Sequence, residues 1–168
     1  PTPRAWTGGV YDEARRLWLY PLELNPTAKS LYKKNEFNHY RIENIGNELK
    51  TWVNGKPVSY VIDTLDQAGF IGLQVHGIGN NLENNGKKVY FKNINIQTDG
   101  LKSKAFPKGI YAVNFTPNTL SSYEQSEGYK LLFDGKGNAG WVGAHKDSFP
   151  EKGWKIQDGI ISVEPSAG

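Results

Sequence analysis

The sequence contains no cysteine among its 168 residues. That absence excludes a disulfide framework, a zinc–thiolate site and a thiol nucleophile. Methionine is missing as well, and no leader peptide precedes Pro1, so we expect the N-terminus to be a processed end or an internal cut. No apolar run approaches the ~20 residues that a membrane-spanning helix needs, so we predict no membrane span.

The chain also lacks a large excess of positive or negative charge. The formal net charge is only +3, and the basic residues form nothing longer than pairs such as Arg15-Arg16, Lys33-Lys34 and Lys87-Lys88. A nucleic-acid footprint needs a denser basic stripe, so these pairs indicate a solvated surface rather than a nucleic-acid partner.

Glycine and aromatic residues are plentiful, at 19 glycines and 12% aromatics. This mixture favours a turn-rich all-β protein over a helical bundle. The clearest pattern is an antiparallel meander of three runs, His39–Ile45, Glu48–Val53 and Lys56–Ile62, joined by turns at Gly46-Asn47 and Asn54-Gly55. An Asn-Gly pair between two alternating runs is the strongest short-range hairpin signal, because both residues tolerate positive φ.

Side chains of a strand alternate between the two faces of a sheet, which sorts the meander into two sets. One face gathers Tyr40, Ile42, Leu49, Thr51 and Val53, and the other gathers His39, Arg41, Glu43, Lys50 and Trp52. A face of Trp, His and Arg suits a sugar, because aromatic rings stack on pyranose faces and guanidinium groups bond hydroxyls.

Further short strands are predicted on either side of the meander. Val10-Tyr11-Asp12 follows the pair Gly8-Gly9, whose lack of side chains permits a close backbone approach. Phe70–His76 places Gln74 and His76 opposite its apolar residues, and Lys88–Ile96 follows a loop rich in Gly and Asn. Short strands at this spacing predict a jelly-roll β-sandwich of antiparallel sheets.

The pattern predicts three parts along the chain. Residues 1–97 form the β-sandwich part, and residues 98–127 form a linker that ends in a short helix at about 122–127, marked by the capping-box pattern Ser121 to Glu124. Residues 128–168 begin a second, incomplete module with a hairpin turn at Asp158-Gly159.

Three blocks of the sequence resemble the 3-keto-disaccharide hydrolase family. They are "NHYRIENIGNELKTWVNG" from Asn38, "GFIGLQVHG" from Gly69 and "VYFKNINI" from Val89, with Gly8–Asp12 as a further match. Residues 128–163 resemble the opening of a second copy, which implies a tandem parent protein. The resemblance implies a concanavalin-A-like sandwich with a carbohydrate site on its concave face, in a protein exported to the periplasm or cell exterior. It also implies action on glycosides whose glucose ring is oxidised at carbon 3.

Candidate site residues follow from these patterns together. His76, which matches a family histidine, and Asp12, at a strand end, are the candidate catalytic bases. The candidate substrate-binding residues are Tyr11, Arg41, Trp52, Gln74 and Asn93. Each also has a structural interpretation: Trp52 as a core aromatic, Arg41 as an ion-pair partner of Glu43, Asp12 as a turn cap.

Two carbohydrate-directed hypotheses remain open at this stage, beside a third hypothesis of a purely structural or interaction domain. The first is a glycoside hydrolase or lyase that cleaves 3-keto-glycosides by base-assisted elimination, with no certain cofactor and a divalent metal ion as one candidate stabiliser of the enolate. The second is a non-catalytic carbohydrate-binding module. Either takes an oligosaccharide or 3-keto-glycoside as its partner, and we expect the remainder of the tandem parent or a second copy to complete the sheets.

Overall fold

The computed structural model describes residues 6–66, 68–75 and 77–165, and these residues are almost entirely β-structure and irregular chain. The strands are β1 (Val10–Asp12), β2 (Leu17–Tyr20), β3 (Tyr40–Ile45), β4 (Glu48–Val53), β5 (Lys56–Ile62), β6 (Val113–Asn114), β7 (Trp154–Gln157) and β8 (Ile160–Val163). The α-helix in this part of the chain is α1 (Ser122–Ser126), and 3-10 turns cover Pro26–Ser30 and Leu82–Asn84. Within these ranges no helix is long and apolar enough to cross a membrane.

The predicted meander is confirmed as the centre of the fold. Strands β3, β4 and β5 pair antiparallel, and β6 adds to β5 in parallel, giving the order β3-β4-β5-β6. Asn54 and Gly55 both have positive φ (50° and 79°), as a two-residue hairpin turn of the predicted kind requires. The register sets Arg41 opposite Trp52 and Ile42 opposite Thr51, so the two predicted side-chain sets lie on opposite faces.

The β1–β2 hairpin forms a second layer on one face of this sheet. Tyr20, Val53, Val58 and Val61 are fully or almost fully buried between the layers. The layers approach closely at Gly8, where an added Cβ would lie 2.9 Å from Cγ2 of Val53 and 3.0 Å from Cγ1 of Val58. The predicted close backbone approach is therefore present, and with this sheet-on-sheet packing the chain has the predicted β-sandwich class.

The opposite face of the meander is covered by residues 103–112 and α1. Phe106 packs between Trp52, at 5.7 Å between ring centroids, and Tyr60, at 5.2 Å, while Tyr123 of α1 lies 5.1 Å from Tyr60. Part of the predicted linker is thus packed against β4 and β5, because its apolar residues cover large rings that would otherwise face water. The division of the chain at residues 97 and 127 stays a prediction.

Two predicted strands are not formed. The residues described between 68 and 97 carry no strand pairing, and Phe70 is 96% exposed. A strand persists only beside a partner that satisfies its backbone groups, and neither Phe70–His76 nor Lys88–Ile96 has one along its described residues. In the second segment Asn93 also has a left-handed backbone, with φ of 53°, which interrupts the alternation.

Two smaller predictions are confirmed. The capping box at the start of α1 is complete, since Ser121 accepts from the backbone N–H of Glu124 and the Glu124 side chain accepts from that of Ser121. Strands β7 and β8 form an antiparallel hairpin around Asp158-Gly159, whose φ angles are 53° and 75°.

Candidate functional site

A cleft of about 220 Å³ opens where the turn of the β1–β2 hairpin meets the start of β4 and the end of β5. We call it the hairpin cleft. Polar and charged residues dominate its wall, and apolar side chains of the layer interface form its floor. The lining residues are Tyr11, Asp12, Arg15, Arg16, Leu19, Asn44, Asn47, Leu49, Val61, Asp63 and Asp66.

Five charged side chains form an ion-pair network in this cleft. Asp12 accepts from Arg15 Nε at 2.8 Å through Oδ1 and from Arg16 Nε at 2.7 Å through Oδ2. Arg16 also donates to Asp63 Oδ2 at 2.6 Å, and Arg15 bonds Asp66. The network therefore ties the β1–β2 turn to the chain that leaves β5.

The local backbone explains why both arginines meet one carboxylate. Asp12 ends β1, and two non-glycine residues after it have left-handed backbone: Ala14 in the turn, at φ 60°, and Leu17, the first residue of β2, at φ 63°. Such angles are uncommon and need support from their surroundings. Here the double ion pair of Asp12 supplies that support and folds Arg15 and Arg16 back over the strand end.

The arginines favour the ionised form of two carboxylates in the network, Asp12 and Asp63. The hydrogen bond from Arg16 lowers the pKa of Asp12, outweighing the effect of burial, and the bond from Arg15 lowers it further. The same Arg16 side chain holds the pKa of Asp63 below its usual value. Elimination needs a base of raised pKa, and Asp12 lacks this property in the observed arrangement.

Three of the predicted site residues lie at or near this cleft. Tyr11 and Asp12 line it directly, and the Tyr11 ring is 46% exposed and 4.8 Å from the Trp18 ring. Gln74 Nε2 lies 3.4 Å from Oε2 of Glu13, the residue next to Asp12. His76, the other candidate base, lies outside the described residues.

The remaining predicted residues lie elsewhere. Arg41 and Trp52 are on the opposite face of the meander, where Arg41 Nε donates to Glu43 Oε1 at 2.8 Å and lies over the Trp52 ring. Trp52 is 2% exposed, so its ring is not open to a sugar in this structure and packs as a core aromatic. Asn93 is exposed and far along the chain from the cleft residues.

Sequence reasoning missed Arg15, Arg16 and Asp63. The spacing of the two arginines at three and four residues after Asp12 was the available signal, but a pair of basic residues indicates a solvated surface just as well. Asn44 and Asn47 at the β3–β4 turn were also missed as cleft residues, because their position depends on the packing of the hairpin over the sheet. In the parts of the chain that the structure describes, no three His, Cys, Asp or Glu side chains are placed to hold a metal ion together.

Comparison with known proteins supports a carbohydrate-active assignment. No curated protein matches this sequence. A family model described as the 3-keto-alpha-glucoside-1,2-lyase-like domain matches residues 1–97, which include the meander, the β1–β2 hairpin and every residue of the hairpin cleft. Because this match covers more than half of the chain, the protein belongs to the 3-keto-alpha-glucoside-1,2-lyase-like family.

Proposed function

We propose that residues 1–97 act on 3-keto-glucosides by elimination, with the hairpin cleft holding the oxidised sugar. A ketone at carbon 3 acidifies the hydrogen on carbon 2. A base takes that proton, the electron pair forms the C1=C2 double bond, and the C1–O bond to the aglycone breaks. The aglycone leaves as an alkoxide and takes up a proton, and the ring remains as an enone.

The arginine pair carries this proposal. Arg15 and Arg16 stay cationic at every relevant pH, and their side chains are 49% and 31% exposed, so they can meet a ligand in the cleft. Each guanidinium has five N–H donors, and the network with Asp12, Asp63 and Asp66 leaves some of them for a substrate. A fixed cation beside the carbon 3 oxygen stabilises the enolate that forms when the carbon 2 proton leaves.

Neutral polar groups in the cleft suit the rest of the sugar. The amides of Asn44 and Asn47 can donate to and accept from hydroxyl groups, and the exposed Tyr11 ring offers a flat apolar surface. We propose His76 as the base, because it matches a histidine of the family. Asp12 is less suitable, because its carboxylate already accepts hydrogen bonds from two arginines.

One observation favours the second hypothesis, a non-catalytic carbohydrate-binding module. The buried carboxylate of the cleft, Asp12, is fully ion-paired and its pKa is lowered, as is that of Asp63. A cleft whose carboxylates are satisfied in this way can bind a sugar without moving a proton.

The test is turnover of a 3-keto-glucoside, followed by the ultraviolet absorbance of the enone product. We expect Arg16→Gln to lower kcat/KM about 100-fold, as loss of one preorganised donor typically does, and His76→Ala to abolish turnover. Arg41→Gln is the matched control, because Arg41 has the same chemistry on the other face of the sheet. A parallel series with EDTA tests the metal requirement.

The outcomes separate the two hypotheses. An equal fall in kcat/KM for Arg16→Gln and Arg41→Gln would exclude a specific role for the hairpin cleft. No turnover by the wild type, together with binding of unmodified glucosides that is lost in Arg16→Gln, would favour the binding module.

A further inference from the structure

A second pocket lies between α1 and residues 109–112, outside the residues that match the family. It encloses about 210 Å³ and has three tyrosines and two glutamates among its lining residues. We call it the tyrosine pocket and define it by Ile110, Tyr111, Tyr123, Glu124, Glu127 and Tyr129.

The base of this pocket is fixed to the protein core. The Tyr123 hydroxyl lies 2.6 Å from the carbonyl oxygen of Ile110, and its ring packs against Tyr60 of β5. The buried Tyr20 donates to the carbonyl oxygen of Tyr111 at 2.8 Å. A pocket held in this way is largely formed before a ligand arrives, so little ordering cost opposes binding.

A second set of contacts fixes the rim. Glu127 Oε2 accepts from the backbone N–H of Gly109 at 2.8 Å, and Lys108 Nζ donates to the carbonyl oxygen of Ser126 at 2.9 Å. These bonds join the end of α1 to Lys108 and Gly109, the residues that begin the other wall of the pocket.

The rings at the mouth are open to solvent. Tyr111 is 51% exposed and Tyr129 is 54% exposed, so each presents aromatic surface that no side chain fully covers. A tyrosine ring combines a flat apolar face with a polar hydroxyl, and this combination fits the C–H faces and hydroxyl edges of a pyranose.

The charge of the pocket restricts the ligand further. Glu124 and Glu127 are acceptors, and the residues that line the pocket include no Lys, Arg or His. A carboxylate accepts several hydrogen bonds, so each can receive sugar hydroxyls in addition to its present donors. Burial raises the pKa of Tyr123, and the Glu127 charge raises it further, which agrees with a negative field in the pocket.

We infer that the tyrosine pocket is a second carbohydrate site, which binds one pyranose unit that carries no negative charge. Its volume is below the ~300 Å³ of a pocket for a drug-sized ligand and therefore suits a single ring. The choice of a sugar as the ligand rests on the proposed carbohydrate function. The existence of the pocket and its negative charge are observed independently of that proposal.

The test compares three small probes by saturation-transfer NMR on the full chain: methyl glucoside, glucosamine and glucuronate. We expect methyl glucoside to bind and glucosamine to bind more tightly, because its ammonium group adds attraction to Glu124 and Glu127. Glucuronate should bind at least tenfold more weakly than methyl glucoside, since its carboxylate is repelled by those of Glu124 and Glu127.

Variants locate the binding. Tyr129→Ala should weaken methyl glucoside binding about tenfold, the loss expected for one aromatic contact, and Tyr90→Ala is the control, an exposed tyrosine outside the pocket. Unchanged binding in Tyr129→Ala, equal binding of glucuronate, or no binding of any probe would each overturn the inference.

Arg16→Gln separates this inference from the proposed function. Methyl glucoside binding that is lost in Arg16→Gln and kept in Tyr129→Ala places the sugar in the hairpin cleft, which overturns the second site and leaves the lyase proposal standing. Binding that Tyr129→Ala weakens while the chain shows no turnover of a 3-keto-glucoside supports the second site alone.

Discussion

Replacing Phe106 by alanine removes the ring that joins residues 103–112 to the meander. The residue is only 8% exposed, and its ring contacts those of Trp52, Tyr60 and Tyr123. Loss of a buried phenylalanine costs about 3–5 kcal/mol, of which part is lost transfer energy and part the cavity that remains. Because this side chain is slightly exposed, we expect the free energy of unfolding to fall by about 3 kcal/mol, the low end of that range.

The assay is chemical unfolding followed by tryptophan fluorescence, because Trp52 lies next to the mutated ring. For a domain of this size about 3 kcal/mol also corresponds to a fall of roughly 6–12 °C in Tm. Phe70→Ala is the matched control, because it makes the same chemical change at a ring that is 96% exposed. We expect that control to change the free energy of unfolding by no more than about 0.5 kcal/mol.

If Phe106→Ala lowers the free energy of unfolding as little as Phe70→Ala does, Phe106 does not hold residues 103–112 against the meander. Residues 98–127 would then behave in solution as the unpacked linker with a short helix that the sequence predicted, and Trp52 and Tyr60 would be free to meet a ligand. The experiment therefore tests the interpretation of Trp52 as a core residue as well as the fold.

Two further predictions concern the β1–β2 layer. Gly9→Ala should destabilise the protein by about 1–3 kcal/mol, because the new Cβ would lie 2.8 Å from the Tyr20 carbonyl oxygen, whereas Gly69→Ala, which meets nothing within 4 Å, should be neutral in the same unfolding assay. The ion pairs of Asp12 and Asp63 should make stability depend on acid pH. Their pKa values are lower in the folded protein, so this contribution is complete above the unfolded value of about 3.9 and is lost as pH falls through the folded values. Unfolding titrated from pH 7 to pH 2 measures it, and a curve unchanged in Asp12→Asn would contradict the assignment.

Local patterns in the sequence were sufficient to predict the meander. The turns at Gly46-Asn47 and Asn54-Gly55 set the pairing of the three strands, and the alternation of β3 and β4 follows from them. The β4–β5 register shifts between Thr51 and Trp52, and the turns do not predict that irregularity. The capping box of α1 and the hairpin at Asp158-Gly159 are equally local, and they also form as predicted.

Contacts between distant parts of the chain could not be predicted in this way. The pairing of Arg16 with Asp63 and of Arg15 with Asp66 depends on how the hairpin lies over the sheet, which no nearby residue specifies. The same holds for Trp52. The alternation of β4 predicts that it lies on the polar face of the meander, but it does not predict that Phe106 covers it. Alternation also predicted strands after Gly69, where the described residues have no partner to pair with.

The short parallel pairing of β6 with β5 joins points of the chain that lie about 50 residues apart. Loop-closure entropy rises only with the logarithm of loop length, so doubling this connection would cost only about 0.6 kcal/mol. Its described part includes the mostly exposed residues Gly77–Gly86, none of which belongs to either hydrophobic cluster of the core. Insertions or deletions within Gly77–Gly86 would leave the two layers and the hairpin cleft in place, so this part of the connection can change in length at little cost to the scaffold.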